Sequence, residues 1–364
     1  MTKSNRPLLV SVLIDPNATR NLDLSQWDLL IRQARRAGVL ARLGEALNDA
    51  NLLPSVPQQA IKHLRSAQIY AEQFKLSLRW EVSCLEKTFD QLDIPLVILK
   101  GAAYELAENR AATGRVFSDV DILVSKNNLA QVERAMMRAG WMPGKIDKYD
   151  NKYYRKWMHE IPPLTHVIRG TTIDVHHNIL PETCRLCPNA DKLFEQLEHV
   201  ENNVFVLSGV DRVLHSATHL FHEGELDHGF RDLSDLDLLI KEFSVRTDFW
   251  DNLLERSYDL NQQLPLFYAL HYCRLILETP IPQEIICKSE KIAIGKIKQT
   301  MMDFLFLRAL LPDHSSCNDR WTGLARFLLY LRAHWLRMPL HLLIPHLLRK
   351  SWMRLSGKRN NKNK

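Results

Sequence analysis

No stretch of this 364-residue chain is long and apolar enough to span a bilayer, so a helical membrane protein is not expected. The nearest approach, residues 338–348, is broken by Pro339, His341, Pro345 and His346. The N-terminus carries only a short apolar run with no small-residue cleavage site after it, and no export signal is expected. Six cysteines, at 84, 184, 187, 273, 287 and 317, are scattered without a framework spacing. That argues against a disulfide scaffold and for free thiols in a reducing, cytoplasmic compartment. No internal repeat is present, which sets aside a repeat architecture.

Acidic residues are missing from one region alone. Residues 320–364 hold 11 of the 48 basic residues and none of the 42 acidic ones. The first 319 residues therefore have a net charge of −5, although the whole chain stands at +6. This asymmetry speaks against a broad nucleic-acid surface and for a local anionic partner of the C-terminal segment. Within that segment Trp, Leu and Arg mix in a partly amphipathic pattern. Residues 321–337 are expected to pack on the C-terminal helices, and 338–356 to meet an anionic membrane surface or a partner protein.

What is present is ordinary for a globular protein: 46% hydrophobic and 25% charged residues. The expected class is α+β, a mixed core flanked by helices. Its expected parts are an N-terminal helical region (1–92), a core (93–204), a C-terminal helical domain (205–350) and a basic, disordered tail (351–364). A first helix is expected around 25–48. Ile61, Leu64, Ala71, Phe74, Leu78, Val82, Leu85 and Phe89 then recur at three- and four-residue steps, the spacing of one helix face. The pattern changes at Ile94. IPLVILK (94–100) and VFSDVDILV (116–124) read as buried strands, and residues 165–179 as a hairpin turning at Arg169–Gly170. From about 205 the apolar spacing is helical again.

The chemistry concentrates in the middle third. Strand side chains alternate faces, so Asp119 and Asp121 share one, roughly 6.5–7 Å apart. Two carboxylates that close repel, and a divalent cation with a preference for hard oxygen ligands, Mg²⁺ or Mn²⁺, relieves the conflict. Asp174, in the strand-like TTIDVHH, supplies a third carboxylate. Upstream, LKGA ends a strand at Lys100–Gly101 and opens a helix, a turn suited to phosphate. Arg115 and Ser118 precede the aspartate pair and could contact a triphosphate. The letters alone decide little, because SDLDLL (234–239) repeats them. There the leucine spacing is helical, so Asp235 and Asp237 should diverge around the axis, and that copy reads as a decoy.

The order LKGAAY, R-x-x-SDVDILV, IDVHH resembles the uncharacterised nucleotidyltransferase family of the DNA polymerase β superfamily, over roughly residues 25–310. The resemblance implies a polymerase β-like sheet, Mg²⁺, and transfer of a nucleotidyl group from an NTP to an acceptor hydroxyl. By it, Asp119, Asp121 and Asp174 are the metal-binding, catalytic carboxylates, and Lys100 and Gly101 the phosphate turn. Ala102 stands where classical members have a second Gly or a Ser. The family's company with exopolysaccharide genes implies a saccharide or lipid-linked acceptor. Two rival readings are a non-catalytic NTP-binding or assembly protein on the same fold, and a D-x-D glycosyltransferase.

Other residues stand out less. His176 shares a strand face with Asp174 and could orient a carboxylate, whereas His177 faces away. His215, His219 and His222 share a helix face and, with Cys184-x-x-Cys187, have the donor types of a zinc site. The bland alternative is satisfied histidines beside the active site and cysteines in a loop.

Overall fold

The computed structural model describes residues 6–117, 119–144, 148–293 and 295–337. Ser118, and the segment from 338 on with its expected membrane or partner contact and disordered end, lie outside the described residues. The chain opens with α1 (Leu8–Ile14), α2 (Leu24–Arg36), α3 (Leu40–Asp49) and the 33-residue α4 (Gln58–Asp90). The single helix expected around 25–48 is two. Asp23 and Gln26 form a reciprocal cap at the start of α2. Gly38 then ends it in a left-handed conformation (φ +69), where the Val39 N–H returns to the Ala34 carbonyl at 2.9 Å.

Among the described residues seven strands form one mixed sheet: β1 (Leu96–Ile98), β2 (Val120–Leu123), β3 (Trp141–Pro143), β4 (Leu164–His166), β5 (Thr172–His176), β6 (Leu197–Glu201) and β7 (Val204–Leu207). Their order is β3-β4-β5-β2-β1-β7-β6. β2 is parallel to β5 and antiparallel to β1, and β1 is parallel to β7. Around the sheet lie α5 (Lys100–Leu106), α6 (Leu129–Arg138), α7 (Lys148–Trp157) and α8 (Asp191–Phe194). The expected hairpin is present: β4 and β5 pair antiparallel across a turn with Gly170 at φ +71. The strand expected over 116–124 is shorter, and Asp119 immediately precedes it. β6 and β7, joined at Asn202 (φ +41), close the expected core, where no strand is expected after residue 179, and β7 runs into the start of the region expected to be helical.

α9 (Gly209–His222), α10 (Gly229–Phe243), α11 (Phe249–Asp259), α12 (Gln263–Leu277), α13 (Gln283–Ala293), α14 (Lys296–Ala309) and α15 (Thr322–Arg337) complete the described chain. β1 and β7 are apolar throughout because both faces of the sheet are covered there. Leu96 and Ile98 join one buried cluster with Leu78, Val82, Leu85 and Phe89 of α4. Val97 and Leu99 join another, which runs from Leu9 in α1 to Leu329 in α15. α4, roughly 50 Å long, takes part in both, through Ala60 and Leu64 at one end and Phe89 at the other. α15 packs Thr322, Ala325, Leu329 and Ala333 inward, as expected for 321–337.

Candidate active site

The parallel pairing of β2 with β5 sets Asp121 directly opposite Asp174. Asp121 is 5% exposed, Asp174 half-buried, and Asp119 exposed at the strand's entrance. Asp121 is held from two sides: Lys100 Nζ donates to its Oδ1 at 2.6 Å, and His176 Nε2 at 2.8 Å. Burial works against its charge, yet the Lys100 ammonium and His176 keep this carboxyl well below the usual carboxylate range. The expectation that His176 orients a carboxylate is thus met at Asp121 rather than Asp174.

Asp174 goes the other way. Burial first, then the Asp121 and Glu160 carboxylates, push it up to about 7. Its Oδ1 is buried and accepts no hydrogen bond. An orphaned carboxylate oxygen among other carboxylates is a local deficit of positive charge, and a hard divalent cation fits the donor set. Among the described residues the three aspartates do not gather at one point, and Asp121 is engaged by the Lys100 ammonium.

Lys100 reaches Asp121 from the first residue of α5, where its backbone is left-handed (φ +50), a conformation that costs a non-glycine residue about 1–3 kcal/mol. Gly101 has a packing reason as well. A Cβ there would stand 2.5 Å from Arg115 Nε and 2.8 Å from Phe117 Cε1, so the glycine lets both side chains close on α5. Ala102 is buried and lines the same cleft.

The cleft, about 240 Å³, is floored by Lys100, Gly101, Asp119 and Asp121. α9 contributes Ser216 and His219, and α10 contributes Arg231, Asp232 and Asp235. The second D-x-D is helical as expected, and its carboxylates do diverge. Asp237 bonds Thr279 and Lys241 away from the cleft, whereas Asp235 is buried in the cleft wall. Asp235 nonetheless belongs to the cleft wall: it pairs with Arg42 at 2.7 Å and with Arg115, which also lies 3.9 Å from Asp232. Arg42 further donates to the Ala111 carbonyl at 2.6 Å, tying α3 to the loop before β2. Burial, with Arg231 close by, brings Arg115 down to about 10, which leaves it charged at neutral pH.

The remaining histidines separate. His219 faces the cleft and is lowered to about 4 by burial and the Lys100 charge. His215 is buried, and that burial holds it well below the usual imidazole range, while His222 donates to the Thr218 carbonyl at 2.9 Å. Burial pushes the Cys184 and Cys187 thiols up to about 12 and 11, away from the thiolate form that binds zinc. Among the described residues these histidines and cysteines do not come together as a metal cluster. Two residues beside the site escaped the sequence reading: His159 and Glu160, which the backbone carries to His176. Their only local signal is the dipeptide itself.

Neither a curated protein nor a solved structure matches the chain. The model of a family described as uncharacterised nucleotidyltransferase matches residues 23–278, a span holding all these strands and the helices that line the cleft. This chain belongs to that uncharacterised nucleotidyltransferase family and is an enzyme that transfers nucleotidyl groups.

Proposed function

We propose that the enzyme moves a nucleoside monophosphate group from an NTP to an acceptor hydroxyl, using Mg²⁺ or Mn²⁺ held by Asp119, Asp121 and Asp174 on a polymerase β-like sheet. The observation that carries this reading is the register of Asp121 against Asp174, with the latter's buried oxygen lacking a partner. The cation supplies charge neutralisation for the triphosphate and the departing pyrophosphate.

The chain's own groups do the rest. Lys100, freed from Asp121, donates to phosphate oxygens as negative charge develops on the leaving group. Gly101 keeps the turn narrow, and Arg115 and Ser118 contact the triphosphate. Asp232 and Asp235 hold the Arg115 guanidinium at the cleft wall, so it meets phosphate without first being ordered. Asp174 takes the proton of the attacking hydroxyl. A saccharide or lipid-linked hydroxyl is the acceptor class to assay first, by the family's genomic company.

The test is incubation of purified protein with each labelled NTP and Mg²⁺, following pyrophosphate release and label transfer. Asp121→Asn should lower turnover by about 10²–10³-fold or more. Wild-type turnover in Asp119→Asn or Asp121→Asn would overturn the assignment. NTP binding without transfer in the wild type would favour a non-catalytic role.

The location follows the charge pattern. We propose that residues from 320 on contact an anionic membrane surface from the reducing side. The support is the outer face of α15: Leu324, Phe327, Leu328, Leu331 and Trp335 are all exposed and repeat at helical spacing, with exposed Trp321 just before the helix. No helix among the described residues is long and apolar enough to cross a membrane.

A further inference from the structure

His176 stands between two carboxylates. Its Nε2 is 2.8 Å from Asp121 Oδ1, and its Nδ1 is 3.5 Å from Glu160 Oε2. An ionised carboxylate offers only lone pairs, so the shorter contact requires the ring proton on Nε2. The Nδ1 lone pair of the neutral ring then faces the lone pairs of Glu160. A third donor lies close by. His159 Nδ1 is buried with no hydrogen-bond partner, and its ring centroid is 5.2 Å from that of His176. One donor atom from each of His159, Glu160 and His176 lies within 4.8 Å of the other two, and no other such trio occurs among the described residues.

The backbone builds this cluster. The Ile161 N–H bonds the Val175 carbonyl at 3.0 Å, and the His177 N–H bonds the His159 carbonyl at 2.8 Å. Glu160 forms a bridge with His176 itself. The segment carrying two of the donors is thus paired to the strand carrying the third. Their approach is set by main-chain hydrogen bonds rather than by chance side-chain torsions.

We infer that His159, Glu160 and His176 form a binding site for a first-row transition-metal ion of the Zn²⁺ class, distinct from the cation site of the three aspartates. Two imidazoles and one carboxylate suit such an ion, whereas Mg²⁺ and Ca²⁺ prefer oxygen alone. His176 would bind through Nδ1 while its Nε2–H remains on Asp121. That is the metal–imidazole–carboxylate relay that orients ligating histidines. Three protein ligands leave a fourth position for water or a substrate oxygen. Through His176 the site also touches the carboxylate that Lys100 holds. Binding of the ion at this site requires no NTP.

The probe is Zn²⁺ alone, added to the chelator-stripped, full-length chain in competition with a chromogenic chelator, with metal content measured after desalting. Wild-type protein should retain one equivalent. Glu160→Gln and His159→Asn should each weaken binding by at least the roughly 10–100-fold that loss of a supporting residue costs. Asp119→Asn, and Cys184→Ser with Cys187→Ser, should leave it unchanged. Absence of stoichiometric Zn²⁺, or unchanged affinity in both ligand variants, overturns the site. Co²⁺ substitution of the wild type gives a readout independent of variant folding. Visible bands of a four-coordinate nitrogen and oxygen site support the assignment, and a thiolate charge-transfer band overturns it.

Discussion

Gly101 shows how little room one backbone position leaves. Its missing side chain is filled by Arg115 and Phe117, both under 3 Å from where a Cβ would be. Gly101→Ala should therefore cost about 1–3 kcal/mol of stability, as overpacking does, and displace Arg115 from Asp235. Denaturant unfolding measures the first effect and the KM for NTP the second. Unchanged values for both would mean that Arg115 moves aside freely. At this scale much of the candidate site was legible. Lys100, Gly101, Asp119, Asp121 and Asp174 lie in short motifs whose strand and turn context is local. Glu160, His159 and Asp235 were not, because pairing with β5 sets the first two beside His176 and the packing of α10 sets Asp235 in the cleft wall, and neither leaves a local pattern.

Between elements, Glu81 fastens α4 to the far edge of the sheet. It accepts from Trp141 on β3 at 3.0 Å, and from Arg169, in the β4–β5 turn, at 2.8 and 2.9 Å. Burial pushes Glu81 upward, but the bonds from Arg169 and Trp141 and the Arg169 charge win and hold it below the usual glutamate range. A depressed carboxylate contributes stability above its unfolded value, about 4.3, and loses that contribution as pH falls through the folded value. Glu81→Gln should thus cost about 1–3 kcal/mol at neutral pH. The gap from wild type should close as pH drops below about 4, which unfolding at pH 7 and pH 3.5 reads directly. An equal gap at both values would show that the pair is not ionic. Among the elements, α9, α10, α12 and α14 were legible from apolar spacing. The β6–β7 hairpin was missed because its strands are short and β7 leads directly into α9. The break between α2 and α3 depends on one residue, Gly38, inside an otherwise helical pattern.

For the molecule as a whole, the outer face of α15 and the acid-free sequence beyond it set a directional expectation. The full-length chain should sediment with vesicles containing anionic lipid and not with neutral ones, less so as salt rises. Phe327→Ser with Leu331→Ser should weaken binding about tenfold or more, from the loss of two large apolar contacts. Salt-insensitive self-association through this face, in place of vesicle binding, would overturn the reading.

The apolar cluster that joins α1 to the C-terminal helices has a consequence in time. Leu9, Val10 and Val12 are fully buried in a cluster shared with Tyr268, Tyr272 and Ile276 of α12, and Arg6 pairs with Glu278 at 2.6 Å. A ribosome releases the chain in order, at roughly 5–20 residues per second. On the order of 15–50 s then passes between the appearance of Leu9 and that of Leu277. Through that interval the nascent first helix has no partner from the C-terminal half, and its apolar face is open to chaperones. The strands that carry Asp121 and Asp174 emerge well before α12 does. α1 thus leaves the ribosome well before the α12 surface that shares its cluster.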